Sequence, residues 1–136
     1  MDLVKSMMIA ASGMRAQSGR MRVLAENIAN SQSTATTPGG DPYRRQIPTF
    51  KSELDRELGA NTVRVGKPVA DQSAFELKYM PGHPAADENG YVQMPNVNGL
   101  VEAMDMKEAQ RSYEANLNMI SASRRMLGQT IELLRR

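Results

Sequence analysis

Residues 3–28 read LVKSMMIAASGMRAQSGRMRVLAENI, and within them Leu3, Met7, Ala10, Met14, Gln17, Met21, Leu24 and Ile28 recur at alternating steps of four and three. Only Gln17 breaks the apolar character of that ladder. Such a stripe is the seam of a helix that packs lengthwise on other helices. A second ladder of the same spacing closes the chain: Tyr113, Leu117, Ile120, Arg124, Leu127, Ile131 and Leu134, with Arg124 as its exception. The middle carries no such ladder. A helical arm at each end with something else between them points to a chain built to join an assembly.

The first helix is expected over residues 3–29, about 40 Å long. Gly13 and Gly19 each weaken it by about 1 kcal/mol relative to Ala, so it needs partners. The last helix is expected over about residues 98–134, capped by Asn96 or Asn98, with Glu102 and Asp105 suited to its positive end. Between the helices, Ser31 to Pro42 is rich in Ser, Thr, Gly and Pro and reads as loop. Tyr43 to Phe50 carries Pro48 and is at most an edge strand. Phe50, Leu54 and Leu58 suit a short helix as well as a strand, and residues 50–58 stay open between the two. Thr62 to Val65 with Val69, then Phe75 to Tyr79, then Tyr91 to Met94, read as short strands separated by turn-rich segments. The fold class is therefore mainly α with a small β-rich middle, divided as a helix over 1–30, a loop and β-rich region over 31–96, and a helix over 97–136.

The 136 residues suit one domain. The apolar fraction is 40%, aromatics are 4%, and Phe50 and Phe75 are the only phenylalanines, so a large core is not available to the middle. Net charge is +2 but unevenly spread. Residues 1–24 carry Lys5, Arg15, Arg20 and Arg22 against Asp2, and residues 121–136 carry Arg124, Arg125, Arg135 and Arg136 against Glu132. Residues 52–92 are net acidic. These charges suit solvated faces, or arms that pair with acidic surfaces of neighbouring subunits. Nine of the eleven methionines lie in the arms, as ordinary core positions or as adaptable contacts to non-identical neighbours.

Catalytic chemistry finds no support. There is no Cys and one His, which excludes thiol catalysis and clustered His or Cys metal sites, and no cofactor is expected. His83 sits in a Pro-Gly-His-Pro turn and is expected to be an exposed bystander. Asp87 and Glu88 stand beside Asn89-Gly90, which is turn chemistry. Gly39-Gly40 lacks the Gly-Lys-Ser/Thr continuation of a phosphate loop. Arg44-Arg45 beside one Tyr is weak evidence for nucleic-acid binding. No stretch approaches the roughly 20 apolar residues of a membrane span, and no signal-peptide core is present. A peripheral binder of anionic membrane or nucleic acid through the basic first helix is the alternative reading, disfavoured because residues 1–42 contain no aromatic anchor.

Leu24-Ala25-Glu26-Asn27-Ile28-Ala29-Asn30-Ser31-Gln32-Ser33-Thr34, followed by Pro42-Tyr43-Arg44-Arg45-Gln46, resembles the Ala-Asn-x-x-Thr…Gly-Tyr-x-Arg signature of the bacterial flagellar axial proteins, the rod, hook and hook-associated family. Asp41-Pro42-Tyr43 replaces the usual Gly-Tyr, and Ser33 to Asp41 is a longer linker, a form similar to that of proximal-rod proteins. Asp87 to Val97 and Glu108 to Leu117 carry the same resemblance. It implies a non-enzymatic subunit of the basal-body rod, a drive shaft that transmits torque. It also implies export through the flagellar type III apparatus without a cleavable signal, placement in the periplasmic rod, and termini paired as a coiled coil in an inner core domain. Implied partners are further copies, other proximal and distal rod proteins, the basal-body adaptor protein and the export apparatus, with neither nucleic acid nor bilayer insertion. The assembly seam would use Leu3, Met7, Met14, Met21, Leu24, Ile28, Tyr113, Leu117, Ile120, Leu127, Ile131 and Leu134. The family-motif and inter-subunit-loop positions, with the loop after Ile28 reaching between neighbouring subunits, would be Asn27, Asn30, Thr34, Tyr43, Arg44, Tyr91, Glu114 and Asn116. For Asn27 and Asn30, helix capping is the competing role.

Overall fold

The structure, a computed structural model, describes residues 2–135. Two long helices, α1 (Leu3–Ala29) and α2 (Gly99–Leu134), enclose six short strands in sequence. The strands are β1 (Gln46–Ile47), β2 (Phe50–Asp55), β3 (Ala60–Val65), β4 (Val69–Ala70), β5 (Glu76–Tyr79) and β6 (Tyr91–Met94). They pair as three separate antiparallel ribbons: β1 with β4, β2 with β3, and β5 with β6. The mainly α fold with packed terminal helices and a small β-rich middle is as expected. Residues 50–55, left open by sequence, form a strand: Asp55 Oδ1 accepts from the Glu57 and Leu58 amides, and Gly59 takes a positive φ of 59°. That turn ends the stretch after six residues and sends the chain back as β3.

Two compact units are built from these elements. The first combines α1 as far as Met21, residues 49–67 and α2 from Lys107 onward. Here the helices run antiparallel. The Gly13 face meets the Asn116 side chain, and Arg20 is paired with Glu108 at 3.2 Å. The side of α2 turned inward is small and polar: Ala109 and Ser123 are buried, and Asn116 sits between them at seven-residue spacing. Small side chains let the backbones approach closely. Tyr113, Ile120 and Leu127 are half-buried, whereas Leu117, Ile131 and Leu134 are exposed.

A second face of α1 carries Ser12, Ala16 and Gly19 and receives the β2–β3 hairpin. The Val63 amide donates to Ser12 Oγ, and a Cβ on Gly19 would lie 2.5 Å from Val65 Cγ2. Period-two alternation places Phe50, Ser52, Leu54, Asn61, Val63 and Val65 on the same hairpin face, turned toward α1.

The second unit combines residues 22–48 with 68–106. Asn98 Oδ1 accepts from the Leu100 and Val101 amides and so caps α2, one of the two caps expected. The β5–β6 ribbon packs Tyr79 edge-on against Tyr91, with ring centroids 5.3 Å apart. Val92 and Ala85 supply its small apolar core.

Candidate assembly site

The end of α1 brings Asn27 into the second unit with no solvent exposure. Every hydrogen-bonding capacity of its amide is used. Nδ2 donates to the Gln46 carbonyl at 2.8 Å and to Glu102 Oε2 at 2.9 Å. Oδ1 accepts from Tyr43 Oη at 2.8 Å and from the Gln46 amide at 2.9 Å. Asn27 thus reads both backbone groups of Gln46, as a neighbouring strand would. Asn27 is thus an intrachain link between α1 and the strand after the loop, and not a helix cap. Asn30 is the cap: its Nδ2 donates to the Glu26 carbonyl and its Oδ1 accepts from Ser33 Oγ.

Glu102 is fully buried beside Asn27, and its second oxygen accepts from Arg45 Nε at 2.6 Å. Arg45 also reaches Asp71 at 3.3 Å and Asp105 at 4.0 Å, and its amide donates to Asn96 Oδ1 at 2.8 Å. The bond to Glu102 raises the Arg45 pKa above its ordinary value. The Asp71 carboxyl is lowered, first by the Ser73 amide and hydroxyl and then by Arg45. Burial raises the Tyr43 hydroxyl, reinforced by Glu26 and Glu102. A buried ion pair of this kind is strongly destabilising when one partner is lost, by about 3–5 kcal/mol. Sequence reasoning missed this role for Glu102, which it took for a helix-dipole acid, and weighed Arg45 only as a phosphate contact. The one available signal was the Tyr43-x-Arg45 spacing of the motif.

The remaining motif positions are spread out. Arg44 donates to the Asp71 and Ser73 carbonyls and lies 4.2 Å over the Phe75 ring. Thr34 Oγ1 is 3.4 Å from His83 Nε2, and His83 Nδ1 accepts from the Ala85 amide. His83 is therefore a half-buried turn residue and not the exposed bystander expected. Asp87 Oδ1 binds the Asn89 and Tyr91 amides, as turn chemistry requires. Glu114 is exposed, and Asn116 Nδ2 donates to the Ser112 carbonyl.

Of the ladder positions, Leu24 is fully buried, Leu3, Met7, Met14 and Met21 are half-buried, and Ile28 is at the exposed margin. Gln17 Oε1 is shut from solvent with no donor among the described residues. Along α2, large apolar side chains accumulate outside: Leu100, Met104, Leu117, Met119, Met126, Ile131, Leu133 and Leu134 are all exposed. Among the described residues no helix is long and apolar enough to cross a membrane, and no group of acids and His could hold a metal.

Residues 88–133 match the family described as flagellar basal body rod FlgEFG protein, C-terminal. The flagellar basal-body rod protein FlgC of Agrobacterium fabrum is 54% identical over 127 residues, 93% of this chain and 91% of that protein. The FlgC of Borreliella burgdorferi is 39% identical over 98% of this chain and 99% of its own. The FlgC of Salmonella typhimurium is 38% identical, covering 98% of each.

Proposed function

This chain belongs to the FlgC family of flagellar basal-body rod proteins, and from that premise we propose how it serves as a structural subunit of the rod. Copies of it and of related rod proteins pack through the terminal helices into a helical shaft that carries torque. The adaptor at the base and the type III export apparatus are its further partners, and its place is the periplasmic part of the rod. Residues 1–30 and 97–136 form the inner core, and residues 31–96 lie outside it.

The observation that supports this reading is the inverted apolarity of α2. Its inward row is buried Glu102, Ala109 and Ser123 with half-buried Asn116, while Leu117, Met119, Met126 and Ile131 are exposed. Each large aliphatic side chain covered on assembly contributes roughly 1.5–3 kcal/mol. Several per subunit outweigh the loss of freedom on association when every subunit has more than one neighbour. The Asn27–Gln46–Glu102–Arg45 cluster has a different task. It fixes the strand after the long loop against the end of α1, so that the middle region leaves the helices at a defined place.

Leu117→Asp tests the seam. Leu117 is exposed in the single chain, so the variant should keep the parent circular dichroism, be exported, and fail to enter rods. Leu24→Asp, at a fully buried position, should unfold the chain itself. Normal motility with Leu117→Asp in place of the parent chain would refute the seam.

A further inference from the structure

The chain contains two Asn-Gly steps, Asn89-Gly90 and Asn98-Gly99. This dipeptide is prone to modify itself, because no side chain shields the glycine amide. The glycine nitrogen attacks Cγ of the asparagine. A C–N bond forms there, and Nδ2 leaves as ammonia, taking the amide proton. Water then opens the five-membered imide. Cleavage at Cγ gives aspartate, and cleavage at the original peptide bond gives isoaspartate, in which the chain runs on through Cβ. Water is the only co-reactant. The reaction needs a free nucleophile, a free carboxamide and room to turn the backbone between them.

At Asn89 the nucleophile is tied down. The Gly90 amide donates to the Asp87 carbonyl at 3.0 Å, and the Gly90 carbonyl accepts from the Met80 amide at 2.9 Å. Asp87 Oδ1 accepts from the amides of both neighbours, Asn89 at 2.9 Å and Tyr91 at 2.8 Å. Gly90 is buried at a positive φ of 82°, where even a Cβ would lie 2.9 Å from the Tyr79 ring. Turning its amide toward Asn89 Cγ breaks the end of the β5–β6 ribbon. Asn98 stands differently. Gly99 opens α2, so its amide is one of the donors for which a helix holds no acceptor. Both residues are exposed, and a Cβ on Gly99 would meet nothing within 4 Å. Only the cap restrains the carboxamide, through Oδ1 and the Leu100 and Val101 amides at 3.1 and 3.3 Å. Local opening of an exposed end is cheap, and opening of a packed ribbon is not.

We infer, independently of the rod-subunit reading, that Asn98-Gly99 is a site of hydrolytic self-modification in the folded chain, while the same dipeptide at Asn89-Gly90 is silenced by its turn. The product matters because of what Asn98 holds. Its carbonyl accepts from the Glu102 amide at 3.0 Å. An aspartate at position 98 still caps α2. An isoaspartate adds a methylene to the backbone, displaces the cap and moves the turn that carries Glu102. Glu102 is the buried partner of Asn27 and Arg45, so slow hydrolysis of an exposed amide reaches the buried cluster.

The test keeps the full chain in mildly alkaline buffer and, in parallel, in concentrated urea. Samples taken over weeks are read by peptide mass spectrometry with fragmentation that separates aspartate from isoaspartate. In urea the two steps should convert at similar rates. In buffer Asn98 should convert several-fold faster than Asn89. Equal rates in buffer, Asn89 ahead, or no conversion at Asn98 by the time urea completes it would overturn the inference. Gly99→Ala, at an open helical position, should keep the parent circular dichroism and slow conversion at Asn98 several-fold; undiminished conversion would mean that the Gly99 amide is not the nucleophile. Asp87→Ala removes two of the bonds around Gly90 and should raise Asn89 conversion several-fold, with the Asn98 rate unchanged as the sign of an intact fold. An unchanged Asn89 rate would show that the turn is not what silences it. If Asn98 also rises to its urea rate, the fold is lost, and the buffer-to-urea ratios of the parent chain decide.

Discussion

Replacing Asn27 by Asp changes one NH₂ to one oxygen and leaves shape almost untouched, so its effect isolates the hydrogen-bond logic of the cluster. Oδ1 can still accept from Tyr43 and the Gln46 amide. The other oxygen, however, now faces the Gln46 carbonyl at 2.8 Å and Glu102 Oε2 at 2.9 Å, acceptor against acceptor in both cases. Two bonds are lost, and two carboxylates are brought together where both cannot remain ionised. Leaving a buried polar group unsatisfied costs about 1–3 kcal/mol, more for a charge, so the variant should lose about 4 kcal/mol at neutral pH. Asn27→Ala strands the same partners but adds no repulsion, and should lose about 3 kcal/mol, since half-buried Tyr43 and Gln46 can turn to water.

The two variants also differ in pH dependence. The introduced carboxyl is held protonated in the folded chain by its neighbour, so its folded value is raised. Its contribution is then present at low pH and lost as pH rises through that folded value. Urea unfolding followed by circular dichroism at about pH 5 and about pH 7.5 reads this directly. Asn27→Asp should be more stable at the lower pH. Adding Glu102→Gln should restore about 1–3 kcal/mol of coupling, because the new amide can donate to the introduced oxygen. Parent-like stability of Asn27→Asp at both pH values would refute the account.

The two helix glycines should respond oppositely to Ala. Gly13→Ala meets only the movable end of Asn116, at 2.9 Å, and gains about 1 kcal/mol of helix propensity, so melting should be unchanged or higher. Gly19→Ala drives a Cβ to 2.5 Å from stiff, branched Val65 and should lose about 1–3 kcal/mol by overpacking, seen as a lower melting temperature. The lowered Asp71 value adds stability that is present above its unfolded value and lost as pH falls through the folded one, so Asp71→Asn should flatten the acid limb of the stability profile. The raised Tyr43 value works at the other end, present below about pH 10 and lost as pH rises through the folded value; Tyr43→Phe should flatten the alkaline limb. Hydrogen exchange on dilute chain should be fast over residues 129–134 and slow near Leu24 and Asn27, and strong protection at the exposed end of α2 would contradict this.

The helices were legible because their signals are local. Apolar spacing, the Asn98 cap and the turn residues around Asp87 act within a few positions. The inward face of α2 was not legible, because the heptad ladder runs through Leu117 and, by spacing, Arg124, while the packed helix turns Asn116 and Ser123 inward. Small residues win there through close backbone approach, which only the partner helix reveals. Glu102 was hidden for a related reason: a buried acid is tolerable only with Arg45 and Asn27, which lie 57 and 75 positions away. The hairpin over residues 50–65 was ambiguous since i, i+4 and i, i+2 spacings coexist in Phe50, Ser52, Leu54 and Leu58, and the Gly59 turn decides between them.

The outward placement of large side chains on α2 bears on how the chain tolerates change. In most small proteins, a substitution scan finds intolerance inside and freedom outside. Here the map should invert along α2. Ser123 and Ala109 can accept only small residues, yet a polar substitution at solvent-facing Met119, Met126 or Ile131 would pass every test of folding and solubility, even improving the latter. A purified chain optimised for good behaviour in the tube would drift toward one that can no longer build anything.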